Sequence, residues 1–150
     1  MEQLLVRDLA LTPAAITRDF TRADLLFYGV ENRGPSYEAL VFLNAPEANL
    51  ATPLDVETGF AGSFVVLGHG CRSDARPRRA FPTQRDPFDS RPPHGLAPET
   101  KMVDITEAIR HPRCAGDMVT ITVLPILPGA ERARQGDVLF FSEVRLLFYR

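Results

Sequence analysis

The stretch GSFVVLGHG, residues 62–70, gives the strongest indication of the fold. Residues 60–67 form an apolar run rich in aromatic and β-branched side chains, which is typical of a β-strand. Glycines on both sides of His69 end that run, because glycine readily adopts the positive φ angles of tight turns. A stretch rich in proline and arginine follows, and the chain returns as MVDITEAIR, residues 102–110. This order predicts two strands joined by a long excursion, with a short helical turn after the second strand.

The rest of the chain consists of short apolar runs separated by turn signals, a pattern typical of a β-sandwich or barrel. Residues 24–30 (DLLFYGV) and 37–44 (YEALVFLN) flank the pair Gly34-Pro35, which marks a turn. We therefore predict that these two runs form an antiparallel hairpin.

Residues 117–126 show the alternation of a half-buried antiparallel strand. The residues expected to face the core are Val119, Ile121 and Val123, and those expected to face outward are Thr120 and Thr122. The other predicted strands are residues 3–11, 60–67, 101–105 and 138–149, with Val144, Leu146 and Phe148 on one face. The predicted fold is an all-β antiparallel sandwich of about seven strands, with one long Pro/Arg-rich loop and a single short helical turn.

The helical turn has signals at both of its ends. Thr106 is predicted to cap residues 107–111, because a threonine oxygen can accept a hydrogen bond from a free backbone N–H of the first turn. Pro112 then ends the turn, because proline cannot continue a helix.

Residues 68–99 form the long loop of this prediction. Six prolines in it remove backbone donors and fix φ, which excludes a central strand, and six arginines accompany them. A loop of this length inside a compact domain is either functional or disordered. Phe81, Phe88 and Leu96 give it apolar side chains to pack, so we expect an ordered flap over residues 86–96.

Size and charge exclude several classes of protein. The chain has 150 residues, a usual size for one domain, so residues 1–150 are predicted to form a single domain. A net charge of −2 gives no general attraction to nucleic acid or to anionic membranes. No run approaches the roughly 20 apolar residues of a membrane span.

The cysteine content and the first residues bear on the cellular compartment in which the protein is expected. Met1-Glu2-Gln3 lacks the basic start of a secretory signal, so a cytoplasmic location is expected. Cys71 and Cys114 are too few for a disulfide framework. They could pair or stay free, and free thiols are expected in a reducing cytoplasm.

Two groups of residues contain side chains of the types that bind metals. His69 with Cys71 could supply a nitrogen and a soft sulfur ligand, although a histidine in a glycine turn is the interpretation we favour. His111, Cys114 and Met118 are the residue types of a blue-copper site. Their order is wrong, however, because the usual loop has a histidine between the cysteine and the methionine, and Met118 is expected to pack inward.

Several short motifs, in a shared order, resemble the C-terminal β-sandwich domain of tyrosinase- and haemocyanin-type (type 3 copper) proteins. The pieces that resemble the haemocyanin domain are AGSFVVLG (61–68), DPFD (86–89), VDITEAI (103–109) and GDMVTITV (116–123). Bacterial tyrosinase-like proteins have a C-terminal region that is more similar still, at FYGV (27–30), GPSYE (34–38), VFLN (41–44) and residues 86–94. The resemblance covers about residues 24–149. It departs from the bacterial relatives after the Gly-His-Gly step, where they are richer in histidine and cysteine.

The resemblance implies a non-catalytic accessory domain that docks on a tyrosinase-like, copper-binding helical chain or domain and covers its active-site entrance. Such dicopper sites use six histidines on a helical bundle, whereas this chain has three histidines. Copper is therefore implied in the partner, and no cofactor is expected in this chain. The candidate partner-binding residues are Phe81, Phe88, Arg91 and His94.

Two other interpretations stay open. The chain could be a stand-alone β-sandwich binding module for a small ligand or a protein, because a fold does not by itself define a function. It could also be a small copper-binding or enzymatic domain that uses His69, Cys71 and His94. In each case, exposed strand edges and the aromatic pairs Phe140-Phe141 and Phe148-Tyr149 would allow a homodimer.

Overall fold

A computed structural model describes residues 5–11, 17–68, 97–128 and 138–150. The strands in these residues are β1 (Leu5–Ala10), β2 (Arg22–Val30), β3 (Tyr37–Leu43), β4 (Phe60–Val66), β5 (Glu99–Asp104), β6 (Met118–Ile126) and β7 (Glu143–Tyr149). One α-helix, α1 (Thr106–Arg110), and the 3₁₀ turns Val56–Thr58 and Pro112–Cys114 accompany them. None of the helices in this part of the chain is long and apolar enough to cross a membrane.

The strands form two antiparallel sheets. In the described residues the larger sheet has the order β1-β6-β3-β4, and the smaller sheet has the order β5-β2-β7. β2 and β3 are thus central strands of different sheets, each with a neighbour on both sides. The prediction of an all-β antiparallel sandwich is confirmed.

The main core lies between the two sheets. Phe27 of β2 connects them, because its ring centroid lies 4.9 Å from that of Phe64 on β4 and 5.2 Å from that of Phe141. The residues predicted to face inward on β6 and β7 all belong to this core or pack against it: Val119, Ile121, Val123, Val144, Leu146 and Phe148. The alternation read from the sequence is therefore confirmed for both strands.

The outer face of the larger sheet carries a second apolar cluster. Leu40, Phe42 and Leu124 lie there with Ala48, which belongs to the connection between β3 and β4. Thr122 is in register with Phe42 and is fully buried. It faces away from the main core, as predicted, but the connection covers this face and excludes water from the threonine.

The predicted hairpin between residues 24–30 and 37–44 is wrong. β2 pairs with β5 and β7, whereas β3 pairs with β4 and β6. The loop of residues 31–36 crosses from one sheet to the other instead of turning back within a sheet. A turn signal indicates a change of direction, but the pairing partners depend on residues distant in the sequence, and sequential strands are not always neighbours.

The cap of α1 also differs from the prediction. Asp104 Oδ1 accepts hydrogen bonds from the backbone N–H of Thr106 at 3.0 Å and from its hydroxyl at 2.6 Å. Thr106 is the first residue of the helix, and its Oγ1 accepts the N–H of Ala23 at 2.9 Å. Thr106 therefore ties the helix to β2, and Asp104 satisfies the free N–H of the first turn.

The last strand is shorter than predicted. β7 begins at Glu143. The residues that precede it still form backbone hydrogen bonds with Tyr28 of β2 and with Glu31. The carbonyl of Phe140 accepts the N–H of Glu31 at 3.0 Å, and the N–H of Ser142 donates to the carbonyl of Tyr28 at 2.9 Å. Gly29, with a φ of 67°, lies against Ser142 and interrupts the regular ladder at this point.

Candidate functional site

The candidate partner-binding residues and the metal-ligand candidates of the Gly-His-Gly step lie in residues 69–96, outside the described residues: Phe81, Phe88, Arg91, His94, His69 and Cys71. The structure describes the residues on either side, Gly68 and Ala97. It therefore defines where this segment leaves the sandwich and where it returns.

Both ends of the segment 69–96 are held by the loop of residues 31–36, hereafter the crossing loop. The backbone N–H of Gly68 donates to Ser36 Oγ at 2.9 Å. Asn32 Nδ2 donates to the carbonyl of Ala97 at 3.3 Å and to Glu99 Oε1 at 3.1 Å. Because four peptide units link Asn32 to Ser36, their Cα atoms are at most about 14 Å apart. The segment therefore leaves and returns within a small area at one end of the sandwich.

Gly68 lies directly against the crossing loop. A Cβ atom at this position would be 2.1 Å from the carbonyl oxygen of Gly34 and 2.3 Å from the carbonyl carbon of Pro35. Those atoms belong to backbone, which cannot rotate away as a side chain can. Gly68 is therefore required by the close approach of two backbones, and not by the positive φ that its place beside His69 suggested.

Polar side chains lie in and beside the crossing loop, at the same end of the sandwich. Tyr37 is 3% exposed, and Glu99 forms an ion pair with Lys101. Burial, reinforced by the negative charge of Glu99, raises the pKa of Tyr37 to about 12. The hydroxyl of Tyr37 and Oδ1 of Asn32 are two of the three buried side-chain polar atoms that have no hydrogen-bond partner in the described residues. A buried polar atom that has no hydrogen-bond partner at all costs about 1–3 kcal/mol.

An apolar surface borders the same end. Val65 is 51% exposed and Leu67 is 66% exposed. Beside them lies a groove of about 290 Å³, to which Ile126 and Pro128 also contribute. Val65 and Leu67 therefore add apolar surface to the end of the sandwich at which the segment 69–96 departs.

A second cleft, of about 480 Å³, lies at the other end of β4. Its walls combine apolar side chains with the carboxylates of Asp55, Asp104 and Glu107. Asp55 accepts the N–H of Thr58 at 2.9 Å, and hydrogen bonds from Thr106 lower the pKa of Asp104. The described lining has acidic but no basic side chains, and Arg22 Nε lies 3.9 Å from Asp104 Oδ2 and offsets part of that negative charge.

The residues of the blue-copper comparison do not converge. His111 Nε2 lies 3.3 Å from Glu57 Oε2, and its Nδ1 accepts the N–H of Arg113 at 3.2 Å. Cys114 is a free cysteine in the main core, and burial raises the pKa of its thiol. Met118 is 48% exposed, so the expectation that it packs inward is wrong. Since Val119 faces inward, its neighbour on the strand must face outward. Within the described ranges, no group of three or more His, Cys, Asp and Glu residues is placed to hold a metal.

The crossing loop is the feature that sequence reasoning missed. Its Gly34-Pro35 pair predicts a turn within one hairpin. The partners of Asn32 and Ser36 are Ala97 and Gly68, which lie 65 and 32 residues away in the sequence. No local pattern in the sequence indicates contacts of that range.

Comparison with protein-family models and with curated protein sequences finds no match. Among solved structures, latent aurone synthase (polyphenol oxidase) from its natural source matches with a TM-score of 0.57 and 17% identity, over 98% of this chain and 24% of that chain. The recombinantly expressed latent enzyme matches with a TM-score of 0.56 and 16% identity, over 99% of this chain and 25% of that chain. This chain thus spans about a quarter of the length of those proteins. The resemblance expected from the sequence is confirmed at the level of the fold: this chain has the fold of a region of tyrosinase-type polyphenol oxidases.

Proposed function

We propose that this chain is a non-catalytic β-sandwich accessory domain or subunit that docks on a tyrosinase-like dicopper chain and covers its active-site entrance. The observation that carries the proposal is the match of nearly the whole chain to about a quarter of a latent polyphenol oxidase. A latent enzyme is one whose activity is held back. A domain placed over the entrance to the copper site would hold activity back by steric exclusion.

The copper would belong to the partner. The resembled dicopper sites take six histidines, and this chain contains only His69, His94 and His111. Of these, His111 already contacts the carboxylate of Glu57 through Nε2 and accepts the backbone N–H of Arg113 at Nδ1. These residues do not fit a dicopper centre, so no step of phenol oxidation is assigned to this chain.

We place the partner contact at the end of the sandwich that carries the crossing loop. The candidate contact residues Phe81, Phe88, Arg91 and His94 belong to the segment that starts and finishes there. Exposed Val65 and Leu67 add an apolar surface beside it. Aromatic and arginine side chains are enriched at the centres of protein interfaces, where they contribute most of the binding energy.

Docking is tested by purifying this chain from its native cell extract and measuring the copper content of whatever binds it. We expect to recover a histidine-rich dicopper protein. Phe88→Ala and His94→Ala should each weaken the association by about tenfold or more, because interface anchors contribute roughly 2 kcal/mol. Leu54→Ala is the control: it shortens a side chain that is 56% exposed in the cleft at the other end of β4, and it should leave the affinity unchanged. Recovery of a metal-free monomer alone would contradict docking.

Gating is a separate prediction with its own measurement. Addition of this chain to the recovered oxidase should lower the oxidation rate of a bulky phenol more than that of a small phenol, because steric exclusion depends on substrate size. The measurement is the ratio of kcat/KM for the two substrates with and without the chain. An unchanged ratio would count against gating even if the two proteins bind.

The cleft beside α1 supports a second candidate function, a stand-alone module that binds a small cationic ligand. Its volume of about 480 Å³ lies in the usual range for ligand pockets. Titration with benzylamine and with benzoate, followed by amide chemical shifts, tests this candidate. Shifts near Asp104 with the amine only would support it, whereas no response to either compound would exclude it.

A further inference from the structure

β7 is an edge strand of the smaller sheet. Its seven residues, Glu143–Tyr149, follow β2 without a register shift, and among the described residues no strand pairs with its other side. An edge strand presents a row of backbone N–H and C=O groups that can pair with another strand. β7 is therefore able to accept a further strand along its whole length.

The other edges of the two described sheets carry features that oppose pairing with another chain. β4 and β5 lie side by side, because a Cβ on Gly62 of β4 would be 2.7 Å from Cγ1 of Val103 on β5. β5 also carries Lys101, the only lysine of the chain, and its ladder with β2 has a register shift. The sequence of β1 has two adjacent charged residues, Arg7 and Asp8, at its centre. Charged residues, lysine above all, and irregular register are the usual protection of an edge.

β7 lacks these features. Its sequence has no lysine, proline or glycine, and its two charged side chains bind each other, with Arg145 Nε 2.7 Å from Glu143 Oε1. The guanidinium of Arg145 also lies 5.4 Å from the ring centroid of Tyr28 on β2, and thus over the sheet and not beyond its edge. The next four residues are apolar or aromatic, and Tyr149 is 44% exposed. The edge is therefore regular and largely apolar.

The main core is incompletely covered along β7. Leu146 and Phe148 pack against the core, yet both are only partly buried. Leu25 and Phe27 of the neighbouring strand β2 face the same core and are fully buried. A strand added to β7 would cover the exposed parts of its core-facing side chains and would pair its free backbone groups.

We propose that β7 is a dimerisation edge and that the strand it accepts is β7 of a second copy of this chain. The two strands run antiparallel about a two-fold axis, with Leu146 of one copy opposite Leu146 of the other. Every pair that faces the core is then apolar, and no like charges are directly opposite each other, which favours pairing. The opposed pairs in this register are Leu146–Leu146, Val144–Phe148, Glu143–Tyr149 and Arg145–Leu147.

A second copy fits this edge better than an unrelated strand does. The register centred on Leu146 pairs all seven residues and keeps the core-facing side chains of both copies on one face, whereas a slip by one residue would mix the two faces. The net charge of −2 is small, so two copies repel each other only weakly. Two-fold pairing occupies both β7 edges, and the assembly therefore ends at a dimer. The inference goes beyond the proposed function and does not depend on it, because it concerns the purified chain alone.

Sedimentation equilibrium of the full chain, from about 1 µM to about 1 mM, tests dimer formation. We expect a reversible equilibrium between monomer and dimer, because one added strand pair is a small interface held mainly by backbone hydrogen bonds. A chain that remains monomeric throughout this range would overturn the proposal, and so would open-ended growth beyond the dimer.

Substitutions of Leu147 test the register, because this partly buried side chain on the outer face lies opposite Arg145 of the other copy. Leu147→Lys should weaken the dimer about fivefold and Leu147→Glu should strengthen it about fivefold, since each dimer contains this pair twice. Met102→Lys is the matched control, because Met102 is 55% exposed on the outer face of the same sheet but belongs to β5. It should leave the dimer unchanged. Equal effects of the two Leu147 substitutions, or no effect of either, would overturn the pairing.

Amide hydrogen exchange of the wild-type chain tests the same strand without any substitution. Alternate N–H groups of residues 143–149 should exchange about tenfold more slowly where about nine-tenths of the chain is dimeric, because the remaining N–H groups already donate to β2. The amides of β5, the opposite edge of the same sheet, should exchange at an unchanged rate. A dimer that protects β5 instead, or that leaves β7 unprotected, would overturn the assignment to β7.

Discussion

Tyr37 shows how a single residue bears an energetic cost at the end of the sandwich that carries the crossing loop. Its ring packs in the main core, but its buried hydroxyl has no partner among the described residues. Replacing a polar atom that has lost its water and gained no hydrogen bond removes a penalty of about 1–3 kcal/mol. The ring therefore contributes to the core, whereas no described residue hydrogen-bonds the hydroxyl.

We predict that Tyr37→Phe raises the free energy of unfolding by about 1 kcal/mol at neutral pH, because the ring remains and the unpaired hydroxyl is removed. Urea unfolding measures this change. A decrease in stability would mean that the hydroxyl has a partner of its own.

The same residue predicts a loss of stability in alkali. An unfolded tyrosine loses its proton near its ordinary pKa of 10.0, whereas the pKa of folded Tyr37 is about 12. Between these values the unfolded state gains stability by ionising and the folded state does not, so wild-type stability falls as the pH rises from 10 to 12. Tyr37→Phe should lack this part of the loss, and Tyr149→Phe, whose ring is 44% exposed, should keep it.

At the scale of elements, β6 is buried on both faces. One face contributes Val119, Ile121 and Val123 to the main core, and Leu124 on the other face joins the cluster covered by the connection of residues 44–59. Thr122 lies on that covered face with no hydrogen-bond partner for Oγ1 within the described ranges. The connection therefore acts as a third layer over the larger sheet.

We predict that Thr122→Val stabilises the protein by about 1 kcal/mol, because valine has nearly the same shape and lacks the unpaired hydroxyl. Thr120→Val, at a half-buried position on the same strand, should give no such gain. Thermal unfolding of the two variants beside the wild type measures the difference. Equal effects of the two substitutions would show that the gain comes from strand propensity and not from burial.

At the scale of the whole molecule, the two sheets share one core. Phe27 of the smaller sheet packs on Phe64 of the larger sheet, with ring centroids 4.9 Å apart. Neither sheet can bury its inner face alone, because the side chains of the other sheet complete the packing. The two sheets should therefore lose their structure together.

We predict that Phe27→Ala lowers the free energy of unfolding by about 3–5 kcal/mol, the usual cost of deleting a core phenyl ring. Phe140→Ala, at a residue that is 37% exposed, should cost less. Far-UV circular dichroism and amide signals from each sheet should follow one transition in both variants. Separate transitions for the two sheets would show that they fold as independent layers.

The alternation of β6 and β7 and the turn residues between strands were predictable from the sequence, because strand periodicity is local. The same local signals predicted the wrong role for residues at which two elements meet. Residues 31–36 look like a hairpin turn, and Thr106 looks like a cap, because neither pattern records which distant residue lies alongside. Thr106 and Gly68 take their roles from contacts with distant residues, Ala23 and Ser36.

By itself, the sequence determined that this protein is an all-β sandwich with one long excursion after residue 68, and its motifs indicated the tyrosinase-type fold. The tertiary structure decided that β2 and β3 belong to different sheets, that the connection of residues 44–59 covers the larger sheet, and that one loop holds both ends of the excursion. The reason is the distance along the sequence between the residues that determine each feature. The period of a strand is written in consecutive residues, whereas sheet membership and burial depend on side chains that only the folded chain brings together.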